Sequence, residues 1–133
     1  PGGCLIDIHP FAEAPLYKVR KGMKILFSQP KPDFNPDDYL CADHTLAGAV
    51  AEGKYTLERS GEFEYIIHAA STAELIEYYR AIDAYDTTPE ATEITPLQAQ
   101  FLNQIDEIIK SAGAGAEITT HEWVHIARMV PIK

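Results

Sequence analysis

Residues 1 to 11 read PGGCLIDIHPF, and this stretch decides how the rest of the chain is interpreted. A Gly-Gly turn leads into a short apolar run, which a histidine and a proline then end. Because the run is interrupted only by Asp7, it predicts a strand over residues 4–9 that is buried on both faces, as in a parallel sheet. Asp7 and His9 would then lie at its carboxyl end, where open α/β sheets bind their ligands.

The pattern Pro-Gly-Gly, one residue, then Leu-Ile-Asp-Ile-His-Pro resembles the fifth-strand motif of class I S-adenosylmethionine-dependent methyltransferases. In that family the turn ends a helix and opens a strand of a Rossmann-like sheet. Further segments resemble the family in the same order: a basic hairpin, an Asp-rich helix, a Glu-Phe-Glu-Tyr strand, a Ser-Thr-Ala-Glu-Leu helix start and a final His-Glu-x-Val-His-Ile-Ala-Arg strand. The resemblance implies the C-terminal, substrate-side half of a methyltransferase-like protein.

The family holds its cofactor, S-adenosylmethionine, with a glycine-rich loop after its first strand and an acidic residue after its second. Both parts belong to the N-terminal half of the family's fold. No G-x-G-x-x-G or similar run occurs in this sequence, and such a run lets the backbone approach the ligand closely. We therefore expect no cofactor binding by this chain alone. Residues 1–133 are expected to be either a single domain or the C-terminal fragment of a larger methyltransferase-like domain.

Composition excludes several classes of function. The chain has 133 residues, of which 46% are hydrophobic, and its net charge is −9. Nonspecific nucleic-acid binding needs a basic face, and docking on an anionic membrane needs one as well, so neither is expected. No apolar run approaches membrane-spanning length, and Cys4 and Cys41 are interpreted as reduced thiols. These features predict a cytoplasmic protein.

The hydrophobic pattern predicts α/β architecture, a mixed sheet flanked by helices. The predicted strands cover residues 4–9, 16–19, 23–27, 55–69 and 117–130. The predicted helices cover residues 36–52, 72–85 and 96–112. Gly22 suits a hairpin turn, Asn35 a helix cap, and residues 95–98 a capping box, whereas Ser60-Gly61 is expected to interrupt its strand. The last two long strands are expected to run antiparallel, as at the sheet edge of the methyltransferase family.

His9 is the predicted catalytic residue. The resemblance places it where the family's substrate pocket approaches the sheet, so that a neutral imidazole there would act as a general base or orient a nucleophile. The alternative is a strand-end histidine bonded to the backbone. Asp7 is predicted to be a partner at the sheet end or to line the site. Asp43 and His44, on the first predicted helix, are further candidate substrate contacts.

The run His121-Glu122-Trp123-Val124-His125 fits the H-E-x-x-H pattern of zinc peptidases. That chemistry needs a helix, which places both imidazoles on one face beside the metal. The neighbouring residues are β-formers, and none of the eight residues after His125 is His, Asp, Glu or Cys. A zinc hydrolase is therefore a distant alternative. On a strand, His121, Trp123 and His125 would share one face and be surface or interface residues.

Two classes of function remain. The leading hypothesis is the substrate-side part of a methyltransferase, inactive as an isolated chain, whose small-molecule acceptor the sequence does not name. The second is a non-catalytic domain that acts by self-association, because missing sheet neighbours would leave the apolar faces of the first strand open to a partner. The expected partner is accordingly a second copy or a missing N-terminal half.

Overall fold

The computed structural model describes residues 3–83 and 94–132. Their elements, in chain order, are β1 (Leu5–Pro10), β2 (Leu16–Lys21), β3 (Lys24–Pro30), α1 (Asp37–Ala51), β4 (Tyr55–Ala69), α2 (Thr72–Asp83), α3 (Pro96–Ala112) and β5 (Ala116–Pro131). The protein is therefore α/β, as predicted. Residues 1 and 2 of the predicted turn, and residues 84 and 85 of the second predicted helix, lie outside the described residues.

Strand β5 pairs with three of the other strands. The sheet has the order β1-β5-β2-β3, and β4 also pairs with β5. Strand β1 runs antiparallel to the C-terminal half of β5, with Leu5 opposite Met129. Strand β2 runs antiparallel to the N-terminal half, with Leu16 opposite His121. The predicted mixed sheet is therefore wrong, because the five described strands form an antiparallel sheet, and the predicted antiparallel arrangement of the two long strands is confirmed.

The prediction that residues 4–9 are buried on both faces in a parallel sheet is also wrong. Strand β1 ends the strand order and pairs antiparallel with β5. Ile6 is 51% and Ile8 58% exposed, and His9 is the buried residue of the strand. An apolar run shows only that a strand can be buried. Whether a neighbour covers it depends on the rest of the structure, which the run itself does not encode.

Local sequence signals placed most of the other elements correctly. The hairpin turns at Gly22, whose φ is +58°, and its strands extend further than predicted. Helix α3 begins at the predicted capping box, in which Thr95 and Gln98 bond reciprocally. The prediction that Asn35 caps α1 is wrong, because Pro36 is at the N-cap, although the side chain of Asn35 accepts a hydrogen bond from Asp37 N.

The predicted interruption of β4 at Ser60-Gly61 is wrong, because β4 is continuous from Tyr55 to Ala69. Gly61 keeps strand conformation and lies beside Ile126 of β5. A Cβ at this position would be 3.7 Å from Cγ2 of Ile126. A Cβ at this distance would make ordinary van der Waals contact, so Gly61 marks neither a turn nor a crowded position.

The chain divides into two compact units. Unit 1 comprises Pro1–Ala14, Phe34–Tyr65 and Glu122–Lys133, and unit 2 comprises Pro15–Asp33 and Ile66–His121. The buried apolar cluster of unit 2 consists of Tyr17, Val19, Phe27, Ala69, Leu75, Phe101, Ile105 and Ile118. No helix in the described parts of the chain has the length and apolar character needed to cross a membrane.

Thr120 is an unusual polar residue in unit 2. It lies opposite Tyr17 in the sheet and is fully buried, and its hydroxyl has no hydrogen-bond partner among the described residues. A buried polar group without a partner costs free energy that an apolar group of the same shape does not. We therefore expect Thr120→Val to raise the free energy of unfolding by about 1 kcal/mol, measured by urea denaturation.

Thr119→Val is the matched control, because the neighbouring Thr119 is equally buried but has its hydroxyl 3.0 Å from His121 Nε2. Losing that hydrogen bond should lower the free energy of unfolding by about 1 kcal/mol. Equal destabilisation by both substitutions would show that the Thr120 hydroxyl is satisfied in solution.

Candidate functional site

The candidate site lies in unit 1, where helix α1 packs against strand β1. No residue of α1 is fully buried, so the helix contacts the sheet loosely. The space between them forms a cavity of about 510 Å³, which we call the α1 cavity. Its walls are mainly aliphatic and include Leu46, Ala47, Val50, Leu57, Ala127 and Met129. Its polar lining groups are His9, Asp43 and His125.

His9 bonds to two carboxylates. Asp7 and His9 are two residues apart on β1, so their side chains share a face of the strand. His9 Nδ1 lies 2.6 Å from Asp7 Oδ2, and His9 Nε2 lies 2.8 Å from Asp43 Oδ1. An ionised carboxylate only accepts hydrogen bonds, so each ring nitrogen must carry a proton. The arrangement therefore holds His9 as an imidazolium.

The pKa of His9 is consistent with this charge state. Burial of the ring disfavours the charged form and is the largest single influence, acting to lower the pKa. The hydrogen bonds to Asp43 and to Asp7, together with the negative charges of both carboxylates, act in the opposite direction and outweigh burial, so the pKa is raised above its ordinary value. The predicted role as a neutral base needs a free ring nitrogen. The geometry favours a positioning role, in which His9 holds Asp43.

Asp43 is the member of this cluster that faces open space. Its side chain is 50% exposed although one oxygen bonds to His9. It lines the α1 cavity and also a second cavity of about 280 Å³, which we call the Phe11 cavity. The Phe11 cavity is lined by Phe11, Ala12, Glu13, Asp43 and His125. Asp43 can therefore contact a ligand in either cavity.

The structure brings together three of the four predicted site residues, Asp7, His9 and Asp43. The fourth, His44, is exposed and lines neither cavity. The sequence interpretation missed His125, whose ring centroid lies 5.8 Å from that of His9. The two histidines are directly opposite in the β1–β5 register, and that pairing has no signal in the sequence.

The H-E-x-x-H run lies on strand β5, so the predicted strand is confirmed. On a strand, residues four apart are separated by roughly 13 Å, too far for one metal ion to bind both imidazoles. Within residues 3–83 and 94–132, no group of three or more His, Cys, Asp or Glu side chains is placed to hold a metal ion. The described residues therefore do not support zinc hydrolase chemistry.

Comparison with known proteins adds no assignment. No protein family, curated protein or solved structure matches the chain. The resemblance to methyltransferases therefore stays a prediction, and the site is interpreted from its own geometry.

The charge of His9 gives a pH-dependent prediction. A raised pKa in the folded state stabilises the protein fully below the unfolded-state pKa, about 6.5, and this contribution is lost as the pH rises through the folded-state pKa. We expect His9→Gln to lower the free energy of unfolding by about 2 kcal/mol at pH 6 and by less at pH 9. Urea denaturation of both proteins across this range measures the difference.

His44→Gln is the control. It makes the same change at an exposed position of α1, where no buried ion pair is lost. Its effect on the free energy of unfolding should stay below about 0.5 kcal/mol across the range. A His9→Gln effect that is constant from pH 6 to pH 9 would mean that the fold does not raise the pKa of His9.

Proposed function

We propose that this chain is the substrate-side part of a methyltransferase-like protein, and that the α1 cavity binds the small molecule to be methylated. The observation that carries the proposal is the cavity itself, about 510 Å³ of mainly aliphatic wall with the His9–Asp43 pair in its lining. Small-molecule sites are typically concave and apolar, of this order of size, with a few polar groups that fix orientation.

The position of the site in the fold supports the same interpretation. Asp7 and His9 lie on β1, the strand whose sequence resembles the fifth-strand motif of the methyltransferases. Strand β5 pairs antiparallel with β1 and also pairs with β4, but an antiparallel sheet is not typical of the family, so the support comes from the β1 motif and the cavity. The charged His9 would hold Asp43 in place, so that the site aligns its ligand without reorganising.

The described residues do not fit S-adenosylmethionine. Binding of that kind uses a glycine-rich turn between the end of a strand and the start of a helix. The described glycines with positive φ are Gly22, Gly53, Gly113 and Gly115. They lie in the hairpin turn or after helices, and none precedes a helix start. This chain would therefore bind the methyl acceptor, and its described residues would take no step through the cofactor.

A cavity-filling substitution tests the binding role. The side chain of Ala127 lines the α1 cavity, so Ala127→Leu should fill it. We expect the neutral apolar dye N-phenylnaphthylamine to bind the wild-type chain at one saturable site, detected by its fluorescence. Ala127→Leu should weaken that binding by about tenfold or more, since the dye and the leucine need the same space.

The control is Ala99→Leu, the same substitution on an exposed position of α3, which should leave dye binding unchanged. In the full-length protein, Ala127→Leu should raise KM for the methyl acceptor and leave KM for S-adenosylmethionine unchanged. Absence of dye binding would overturn the binding role. Absence of methyl transfer by the full-length protein would overturn the methyltransferase assignment alone.

Self-association is a second candidate, favoured by the exposure of β1. Ile6 and Ile8 are more than half exposed, and Ile126, opposite Ile8 on β5, is 37% exposed. Strand β1 also ends the strand order, and an apolar edge strand is a template for pairing with another chain. Self-association would therefore pair β1 of one copy with β1 of a second copy.

This candidate predicts that the wild-type chain is a dimer by analytical ultracentrifugation and that Ile8→Lys makes it a monomer. Ile25→Lys is the matched control, because Ile25 of β3 is equally exposed at 57% and should leave the dimer intact. A wild-type monomer at the highest soluble concentration would remove the candidate.

A further inference from the structure

We propose that the site selects a ligand with an aliphatic body and a cationic amine end, and that Asp43 recognises the amine. This inference rests on the proposed function only in that the α1 cavity is taken as the binding site. It concerns the chemical class of the ligand, which the methyltransferase resemblance does not specify. Three features of unit 1 carry it: the local charge, the free side of Asp43 and the composition of the two cavities.

The local charge is negative. The carboxylates of Asp7 and Asp43 carry two negative charges, of which the His9 imidazolium neutralises only one. Glu13, which lines the Phe11 cavity, adds a further negative charge. A ligand group placed beside Asp43 therefore meets an excess of negative charge. Such a surface attracts a cation and repels a carboxylate or a phosphate.

Asp43 has one carboxylate oxygen that is available to a ligand. Its Oδ1 accepts the hydrogen bond from His9, and its Oδ2 has no hydrogen-bond partner within the described residues. An ammonium group is a donor only, with three N–H groups, and therefore matches an unoccupied carboxylate oxygen. His9 fixes the carboxylate, so the ligand would not have to order it.

The Phe11 cavity suits an ammonium group in a second way. Glu13 offers another carboxylate, and Phe11 offers an aromatic ring, which attracts a cation at its face. Asp43 and His125 line both cavities, so an amine beside Asp43 can keep its body in the α1 cavity. The walls there are aliphatic, and each CH₂ group buried against them favours binding. An alkyl amine would place its ammonium group in the Phe11 cavity and its alkyl chain in the α1 cavity.

The test compares three probes with the same chain length: hexylamine, hexanol and hexanoate. Isothermal titration calorimetry of the full chain at neutral pH should show hexylamine binding roughly tenfold tighter than hexanol, because a charged hydrogen bond replaces a neutral one. Hexanoate should bind more weakly than hexanol. Equal affinity for hexylamine and hexanol would overturn the inference.

Three Asp→Asn substitutions, each removing one negative charge, locate the recognition group. Asp43→Asn should abolish the preference for hexylamine over hexanol. Asp7→Asn should reduce the preference less, because Asp7 bonds to the same imidazolium but lines neither cavity. Asp37→Asn, on an exposed position of α1, should leave it unchanged. A preference retained by Asp43→Asn would also overturn the inference.

The failure of this inference differs from the failure of the proposed function. Binding of hexanol or hexanoate as tight as that of hexylamine, lost in Ala127→Leu, would overturn the amine preference and leave the binding role intact. If none of the three probes binds, both the inference and the binding role fail.

Discussion

The antiparallel pairing of β1 with β5 is the constraint on which the site depends. It sets His9 opposite His125 and Asp7 opposite Ala127. Because side chains alternate between faces, this register turns His9, His125 and Ala127 toward α1 together, where all three line one cavity. A slip of one residue would move His9 to the other face and leave Asp43 without its partner. Backbone hydrogen bonds between two strands thus determine where the charged groups of the site meet.

The His9 imidazolium has a structural role as well as a role in the site. Asp7 and Asp43 would repel each other across the ring if His9 were neutral, and the positive charge of the imidazolium between them offsets that repulsion. The bond to Asp43 also joins α1 to the sheet. This matters because α1 has no fully buried residue, so apolar packing alone holds it weakly. The same interaction therefore fixes the helix, leaves space beside it, and presents a carboxylate to that space.

Much of the fold was predictable because its signals are local. Helix α3 begins directly after Thr95 and ends before Gly113, as a capping box and a glycine indicate, and the hairpin turns at Gly22. The environment of β1 was not predictable in the same way. Its apolar residues favour burial of both faces of the strand, whereas the described chain places one pairing strand and one helix against it. Strand direction and burial are properties of neighbours that lie far along the sequence.

Three members of the site, Asp7, His9 and Asp43, were predictable from the sequence, whereas His125 and the chemistry of the site were not. Asp7, His9 and Asp43 each stand where a polar side chain meets a strand end or a helix face, which is enough to propose them. The contact between His9 and Asp43 joins residues 34 positions apart, so the sequence could not show that His9 bonds to two carboxylates. A histidine with one free nitrogen is a base, and a histidine between two carboxylates is a fixed cation. The role of a histidine therefore depends on its hydrogen-bond partners, and the fold determines which partners His9 has.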